Sequence, residues 1–490
     1  MNVAKSLEIK EIENNAIKKY IPGILLMESA AEKVVKIMEQ ECQKLHKKKI
    51  AVVCGIGNNG GDGFAVARKL YNIAKSVDIY FIEEKEKLPE NARLNFEIAK
   101  NMGINFIDKI NFKNYDIIVD AIFGIGINRK IENEYEDIIK LINSSNKKVI
   151  SIDIPSGVVS DTGEIMGIAV KADITITFHI AKPGHFLFPG RENCGKLFIE
   201  DIGVIEENTN FKTEVLLKKE IKIKEREKNI NKMSAGKVMV IAGSRNYTGA
   251  AQLCVKGALR SGAGIVYLIT IDEAKTVFDI SIPEAVKIYL KSENGFLYNG
   301  AEKEIIEKIK ELKVDSIVVG PGLGRGEFNK KILTEILKES GVPVVIDADA
   351  LFYYGELNEK NIRRNIVITP HEGEFERING EKIRTRIESA EKYSKENSGV
   401  LVLKGTDSLI CSEGKVSINT TGNPGMAKAG MGDILAGLIG GLCARNYDVL
   451  TAAKYGVYIH GAAGDKAKSY HSQESLVAGD ILENIGSFFL

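Results

Sequence analysis

The sequence predicts two consecutive α/β domains, each built on a largely parallel sheet. Three observations carry this expectation. Apolar runs of strand length end repeatedly in glycine or aspartate, as in KKKIAVVCG (47–55) and VPVVIDADA (342–350). Stretches with helical spacing separate several of these runs, and buried strands alternating with helices mean a parallel sheet covered on both faces. Between the two series lies EENTNFKTEVLLKKEIKIKEREKNINK (206–232), dense in charge and poor in glycine. This places a domain boundary near residue 212, although a charged surface strand and loop would read the same way.

The elements follow in order. Ile24 to Gln40 carries apolar residues at helical spacing. In the first half, strands are expected at 47–55, 76–83 (SVDIYFIE), 115–124 (YDIIVDAIFG), 147–157 (KKVISIDIPSG) and 172–180 (ADITITFHI). Helices are expected at Phe64–Ala74, Ala92–Met102 and Tyr135–Ile142. The second half offers strands at 236–244 (GKVMVIAGS), 315–324 (DSIVVGPGLG), 342–350, 365–374 (NIVITPHEGE) and 399–405 (GVLVLKG). DSLICSEGKVSIN (407–419) reads as a hairpin turning at Glu413-Gly414. Three helices, Asp433–Cys443, Val449–Lys468 and Gln473–Ile485, close the chain.

Composition narrows the function class. The chain has 490 residues, long enough for two large domains, or roughly three at about 150 residues each. With 44% hydrophobic and 27% charged residues, a disordered or collagen-like chain is excluded. Lys+Arg is 67 and Asp+Glu is 66, so no global field draws the protein to nucleic acid or anionic lipid. The six cysteines form no CxxC pair and no disulfide framework. The N-terminus is too polar for a signal peptide, and the nearest apolar run, Ile434 to Cys443, is half a membrane span. A cytoplasmic protein without nucleic-acid or membrane partners is expected.

Ligands of open α/β sheets bind beyond the carboxyl ends of the strands, where glycine loops and helix N-termini offer free N–H groups. GIGNNGGDGFAVAR (55–68) sits at such an end; Gly55, Gly57 and Gly60 fit the dinucleotide pattern, which alone is weak. Asn58, Asn59 and Asp62 are unusual inside it, and a turn with left-handed Asn is the simpler alternative. DAIFGIGINRK (120–130) and DIPSGV (153–158) add Asp120, Asp153 and Ser156. With Asn59, these oxygens suit an alkali or alkaline-earth cation better than zinc; a lone strand-end Asp is otherwise a turn former. In NTTGNPGMAKAGMGDILAGLIGG (419–441), Asp433 stands at a helix first turn, either as a general base or as a plain N-cap. The surrounding glycines, costly inside helices, argue against the cap alone. LKGTDS (403–408) offers Lys404, Gly405 and Thr406 to nucleotide phosphates, while GPGLG (320–324) and TPHEGE (369–374) close the substrate side. His371 suits a structural hydrogen bond or a catalytic role equally.

At these motifs, and at SAGKVMVIAGS (234–244) and GAAQLCVKGALRSGAG (249–264), the chain resembles the bifunctional NAD(P)H-hydrate repair enzymes, an epimerase fused to a dehydratase. The order and spacing of the motifs cover nearly the whole chain. The resemblance implies a Rossmann-like epimerase domain at 1–212 and a ribokinase-like, ADP-dependent dehydratase domain at 213–490. The substrates would be hydrated NADH and NADPH, whose C6 hydroxyl is epimerised by the first domain. The second would remove water from the S form, turning ADP, with ATP as the alternative, into AMP and phosphate. Asp153 and Asp433 would be catalytic. Asn58, Asn59, Gly60, Gly61, Asp62 and Gly124, Ile125, Gly126, Ile127, Asn128, Arg129, Lys130, with Asp153, would contact the hydrate in the epimerase. Asn59, Asp120 and Ser156 would hold potassium. In the dehydratase, Ala250, Gly322, Gly324, His371 and Asp433 would face the substrate. Lys404, Gly405, Thr406, Asp407, Ser408 and Gly432 would hold the nucleotide, with magnesium, and a homo-oligomer is expected. Two departures stand out: MSAGK (233–237) replaces a frequent His-Lys-Gly, and Glu372 stands where proline is common. Rival readings keep the folds: a small-molecule kinase with a non-catalytic N-terminal ligand-binding module, or a NAD-dependent dehydrogenase.

Overall fold

The computed structural model describes residues 1–82, 85–205, 210–357 and 365–489. Two compact units divide the chain, Asn2–Thr213, and Met1 with Glu214–Leu490. Glu83, at the end of one expected strand, and residues 206–209 of the charged segment lie outside the described residues. No helix among those described is long and apolar enough to cross a membrane.

The first unit opens with α1 (Ser6–Lys19) and α2 (Gly23–Glu41). Then come β1 (Lys49–Cys54), α3 (Asn58–Leu70), β2 (Ser76–Phe81), α4 (Glu90–Asn101) and β3 (Asn105–Phe106). The chain continues with β4 (Ile117–Ala121), α5 (Glu134–Ser144), β5 (Lys148–Ile152), β6 (Ile174–Phe178), α6 (Gly190–Asn193) and β7 (Lys196–Glu200). All strands pair in parallel, in the order β3-β2-β1-β4-β5-β6-β7. This is the doubly wound arrangement, and its direction reverses between β1 and β4. β1, β4 and β6 are buried almost throughout, which is why they read as unbroken apolar runs.

The structure departs from the sequence reading at α1 and α3, and β3, α6 and β7 lie outside that reading. α1 escapes it because only Ile9, Ile12 and Ala16 are buried, on a helix otherwise charged. α3 starts at Asn58 rather than Phe64, so the Asn-Asn-Gly-Gly-Asp stretch is the helix's own first turns and not a loop before it.

The second unit runs β8 (Lys237–Ile241), α7 (Thr248–Arg260), β9 (Ile265–Ile271), α8 (Lys275–Ser281), β10 (Val286–Leu290) and α9 (Ala301–Leu312). Next are β11 (Ser316–Val319), α10 (Asn329–Glu339), β12 (Val344–Ile346), α11 (Asp349–Gly355), β13 (Ile366–Ile368), α12 (Glu372–Asn379) and α13 (Arg386–Glu396). It closes with β14 (Val400–Leu403), β15 (Ser408–Ser412), β16 (Lys415–Asn419), α14 (Met431–Ala444), α15 (Val449–Ala467) and α16 (Ala478–Ile485). Nine strands of its sheet run in the order β16-β15-β14-β13-β12-β11-β8-β9-β10, parallel except where β15 pairs antiparallel with β14 and β16. Glu413 and Gly414 turn that hairpin with φ of 50° and 74°, the positive values a tight two-residue turn demands. The last helix begins at Ala478, later than its apolar spacing predicts. β9 and β10 lie outside the sequence reading altogether.

α14 is buried along almost its entire length and packs on α7. Glycines set that approach. A Cβ at Gly437 would stand 1.9 Å from the Cys254 carbonyl oxygen, and one at Gly257 2.4 Å from that of Ile434. Part of the glycine run in 419–441 therefore serves helix packing rather than ligand binding. Gly437→Ala tests this. Helix propensity favours alanine by about 1 kcal/mol, whereas overpacking costs roughly 1–3 kcal/mol and has only backbone to push against. A urea melt should show the second unit's midpoint falling; an unchanged or raised midpoint would contradict the packing account.

Candidate active sites

In the first unit the loops after β1 and β4 part at the reversal of strand order. A cavity of about 770 Å³ opens there. Its walls include Asn58, Asn59 and Asp62 from the first turns of α3, residues 124–130 after β4, and Asp153 after β5. Gly60 and Gly61 do not reach it. A Cβ at Gly60 would meet the Gly55 carbonyl oxygen at 1.8 Å, and one at Gly61 would meet Met27 and Ala92, so both glycines serve packing. Gly124 has a different use: a Cβ there would crowd the Asp153 carboxylate at 3.3 Å and Asn59 at 3.4 Å.

Asp153 adopts φ of +66°, a left-handed conformation that aspartate tolerates better than most residues. Its Oδ1 accepts from Lys182 Nζ at 2.5 Å and from the Thr177 hydroxyl at 3.0 Å. Burial alone would raise this carboxyl, but Lys182 outweighs it and holds the group below its ordinary value. The Lys182 N–H donates to His185 Nδ1 at 3.1 Å. Nε2 therefore carries the ring proton and donates to the Asp153 carbonyl oxygen at 2.9 Å. Burial holds His185 down to about 4, so the ring is neutral. Asp62 and Glu13 move the other way: burial first, then Asp153, push both carboxyls up. One cavity thus holds an ionised carboxylate and carboxyls biased towards the protonated form.

Asp120 and Ser156 lie behind this wall rather than in it. Asp120 is fully buried and accepts from Ser151 Oγ at 2.7 Å, Ser156 Oγ at 2.6 Å and Ser156 N–H at 2.9 Å. Burial raises its carboxyl, and the groups that lower it are hydrogen-bond donors, not side-chain cations. Asn59 is buried, and neither amide atom has a hydrogen-bond partner among the described residues. An orphaned amide oxygen on α3 and a buried carboxylate without a side-chain counter-charge on β4 are oxygen donors of the kind that suit a hard cation.

In the second unit the strand order reverses between β8 and β11. Lys404, after β14, donates to Asp347 Oδ1 at 2.8 Å and lies 4.0 Å from Glu374. Burial disfavours its charge, but Asp347 and Glu374 outweigh burial and hold the ammonium above its ordinary value. Thr369 Oγ1 also donates to Asp347, at 2.8 Å. A Cβ at Gly432 would sit 3.2 Å from Lys404 Nζ, so the start of α14 and the β14 loop meet here. Asp433 follows. The cap of α14 is Gly430, and Asp433 is the helix's third residue, so the plain N-cap reading does not hold. Burial and Asp347 push its carboxyl up to about 6, against Lys404.

On the opposite side, Gly322 approaches Ala250, and the Gly324 N–H donates to Asp349 Oδ2 at 2.8 Å. Gly322 and Gly324 have φ of 61° and 72°, so any side chain there would be strained. His371 caps α12: its Nδ1 accepts from the Glu374 N–H at 3.3 Å, and its side chain is 63% exposed. Gly405 lies on Arg386, whose Nη2 donates to the Lys404 carbonyl oxygen at 3.2 Å. Thr406 is exposed, Asp407 is buried, and Ser408 Oγ reaches back to the Gly405 carbonyl oxygen at 3.4 Å.

Sequence reasoning missed Lys182, Glu13, Asp347, Glu374 and Arg386. Asp347 had a usable signal, since it directly follows an apolar strand as Asp153 does. Glu13 had none, being one charge among many on α1.

Comparisons with known proteins follow the same division. Residues 238–486 match the NAD(P)H-hydrate dehydratase family, and residues 24–184 match the YjeF-related protein N-terminus family. A bifunctional NAD(P)H-hydrate repair enzyme of Dictyoglomus turgidum is 35% identical over 99% of this chain and 97% of its own. One of Moorella thermoacetica is 34% identical over 99% and 96%. Among solved structures, a ribokinase-like superfamily protein from Enterococcus faecalis covers 58% of this chain and 98% of its own, with TM-score 0.51 and 26% identity. An ADP/ATP-dependent NAD(P)H-hydrate dehydratase from Bacillus subtilis, co-crystallised with ATP and Mg2+, covers 56% and 97%, with TM-score 0.50 and 28% identity.

The Lys182–Asp153 pair yields a stability prediction. Lys182 is 2% exposed, and removing one partner of a buried pair costs about 3–5 kcal/mol. Lys182→Met should lower the first unit's urea midpoint accordingly at neutral pH. Asp153 is held low in the wild type, so its contribution is present above the unfolded pKa and lost as pH falls through the folded one. The deficit should therefore narrow on acidification; a deficit that is absent at neutral pH, or that widens in acid, would contradict the pairing.

Proposed function

Since this chain belongs to the family of bifunctional NAD(P)H-hydrate repair enzymes, we propose that residues 1–212 epimerise hydrated NADH and NADPH and that residues 213–490 dehydrate the S form at the expense of ADP. One observation carries the reading: an aspartate beside a lysine at the carboxyl edge of each sheet, Asp153 with the buried Lys182 and Asp433 near the half-buried Lys404.

C6 of the hydrate bears both a hydroxyl and the ring nitrogen. The nitrogen lone pair expels the oxygen once an acid protonates it, and water returning to the other face inverts the centre. In the first unit Asp153 is ionised and suits the proton-accepting side, and the raised Asp62 suits the donating side. Potassium belongs in the reading on the orphaned Asn59 amide and the Asp120–Ser156 network, where it would supply the missing counter-charge.

In the second unit Asp433 takes the proton from the C6 hydroxyl as that oxygen attacks the β-phosphorus of ADP. AMP leaves, and the hydroxyl oxygen becomes a phosphate ester. The ring nitrogen then expels phosphate, and loss of the C5 proton restores the double bond, giving NAD(P)H, AMP and phosphate. Lys404, the 404–408 loop and Gly432 would bind the nucleotide, with α14's N-terminal N–H groups towards phosphate. The co-crystallised Bacillus subtilis relative supports magnesium as the nucleotide's charge partner. Ala250, Gly322, Gly324 and His371 would border the hydrate.

The test is a coupled assay on purified S and R hydrates with ADP, magnesium and potassium. Both epimers should return to NADH, the R form faster than it inverts unaided. Asp153→Asn should abolish use of R while leaving S, and unimpaired R turnover would reject its role. For dehydration, Asp433 must be deprotonated and its carboxyl stands at about 6. The rate on S should fall about tenfold per pH unit below that value and level off above it. Asp433→Ala should lose at least a hundredfold; a loss under tenfold would remove it as the base.

A further inference from the structure

A hydrated dinucleotide carries phosphates as well as its ring: a pyrophosphate in both forms and a ribose 2′-phosphate in the NADPH form. The ammonium of Lys404 is already engaged by Asp347. Arginines stand on the other flank. Arg325 directly follows Gly324, and Arg377 lies in α12, the helix that His371 caps. Phe352 lies in α11, which starts at Asp349, the acceptor of the Gly324 N–H. The guanidinium carbons of Arg325 and Arg377 stand 4.7 and 5.4 Å from the centroid of the same Phe352 ring.

Two like charges gathered on one ring need a counter-charge. Both arginines are exposed, and neither has a carboxylate partner among the described residues. The carboxylates around them are committed elsewhere. Asp349 accepts from Gly324, Glu356 pairs with Lys330 at 3.2 Å, Glu374 accepts from the His371 N–H, and Glu376 accepts from the Ile383 N–H. Stacking on an aromatic face orders a guanidinium while leaving its planar N–H fork free. Such a fork bonds two phosphate oxygens at once.

We infer that Arg325 and Arg377, ordered on Phe352, bind a phosphate group of the hydrated dinucleotide at the second unit. This rests on the proposed function, and it adds a basis for telling hydrated NADPH from hydrated NADH. Arg325 ends the loop that borders the proposed substrate side, and Arg377 reaches the same ring from the helix that follows the second such loop.

The test compares the full-length wild type with the Arg325→Gln, Arg377→Gln double variant on the S hydrates of NADH and NADPH at saturating ADP. Both side chains are exposed, so the fold should be unaffected. The expected result is a KM for hydrate raised at least tenfold with kcat within twofold. An equal rise for both hydrates assigns the pyrophosphate, and a rise confined to hydrated NADPH assigns the 2′-phosphate. A KM within twofold of wild type for both hydrates overturns the inference. So does a change confined to kcat or to the KM for ADP. Should the wild type turn over neither hydrate, the proposed function itself fails. Calorimetric titration of both proteins with NADPH then decides the arginines separately: weaker binding by the variant supports them, and equal binding overturns them.

Discussion

Lys182 carries its ammonium out of water and Lys404 is largely withdrawn from it, and in each case an aspartate at 2.5 or 2.8 Å offsets the lost hydration. The polar machinery of both units is arranged around these contacts. The strand interiors are apolar on both faces, so charge can gather only where strands end. At that edge a buried lysine fixes which carboxylate stays ionised. Asp153 is held low by Lys182, while its neighbours Asp62 and Glu13 are pushed up. In the second unit Lys404 is committed to Asp347, and Asp433 is left raised to about 6 beside them. One pairing thus divides chemically identical carboxyls into different roles.

The architecture was largely readable because a strand buried on both faces leaves an uninterrupted apolar run. The runs at 47–55, 115–124 and 172–180 show this, and each ends close to where the folded strand does. Asp153 and Asp433 were readable because glycine or proline follows or precedes them at strand and helix ends. Lys182 was not, because an isolated lysine after a strand looks like any solvated charge until the fold brings it to Asp153. Glu13 was hidden for a different reason: α1 shows the core only three apolar residues, so neither the helix nor its carboxyl announced itself. Asp347 was absorbed into a strand that stops one residue earlier.

Glycine proved ambiguous in a physically instructive way. Gly60, Gly61 and Gly437 share motifs with the proposed ligand contacts, yet what each excludes is a Cβ against a backbone or a packed side chain. Gly124 and Gly432 do border the sites, beside Asp153 and Lys404. Sequence sees the same residue type in both cases, because the demand for close approach is identical whether the neighbour is a ligand or another helix.

The backbone of Asp153 carries a consequence of its own. At φ of +66° it occupies a conformation that costs an L-residue on the order of 1 kcal/mol and glycine almost nothing. Replacement by glycine would relax the main chain by that amount but would leave the Lys182 ammonium buried without its partner, a cost of about 3–5 kcal/mol. The strain is therefore held in place by the lysine, and position 153 has no downhill exit while Lys182 remains. A lineage that abandoned the first reaction would be expected to change positions 153 and 182 together.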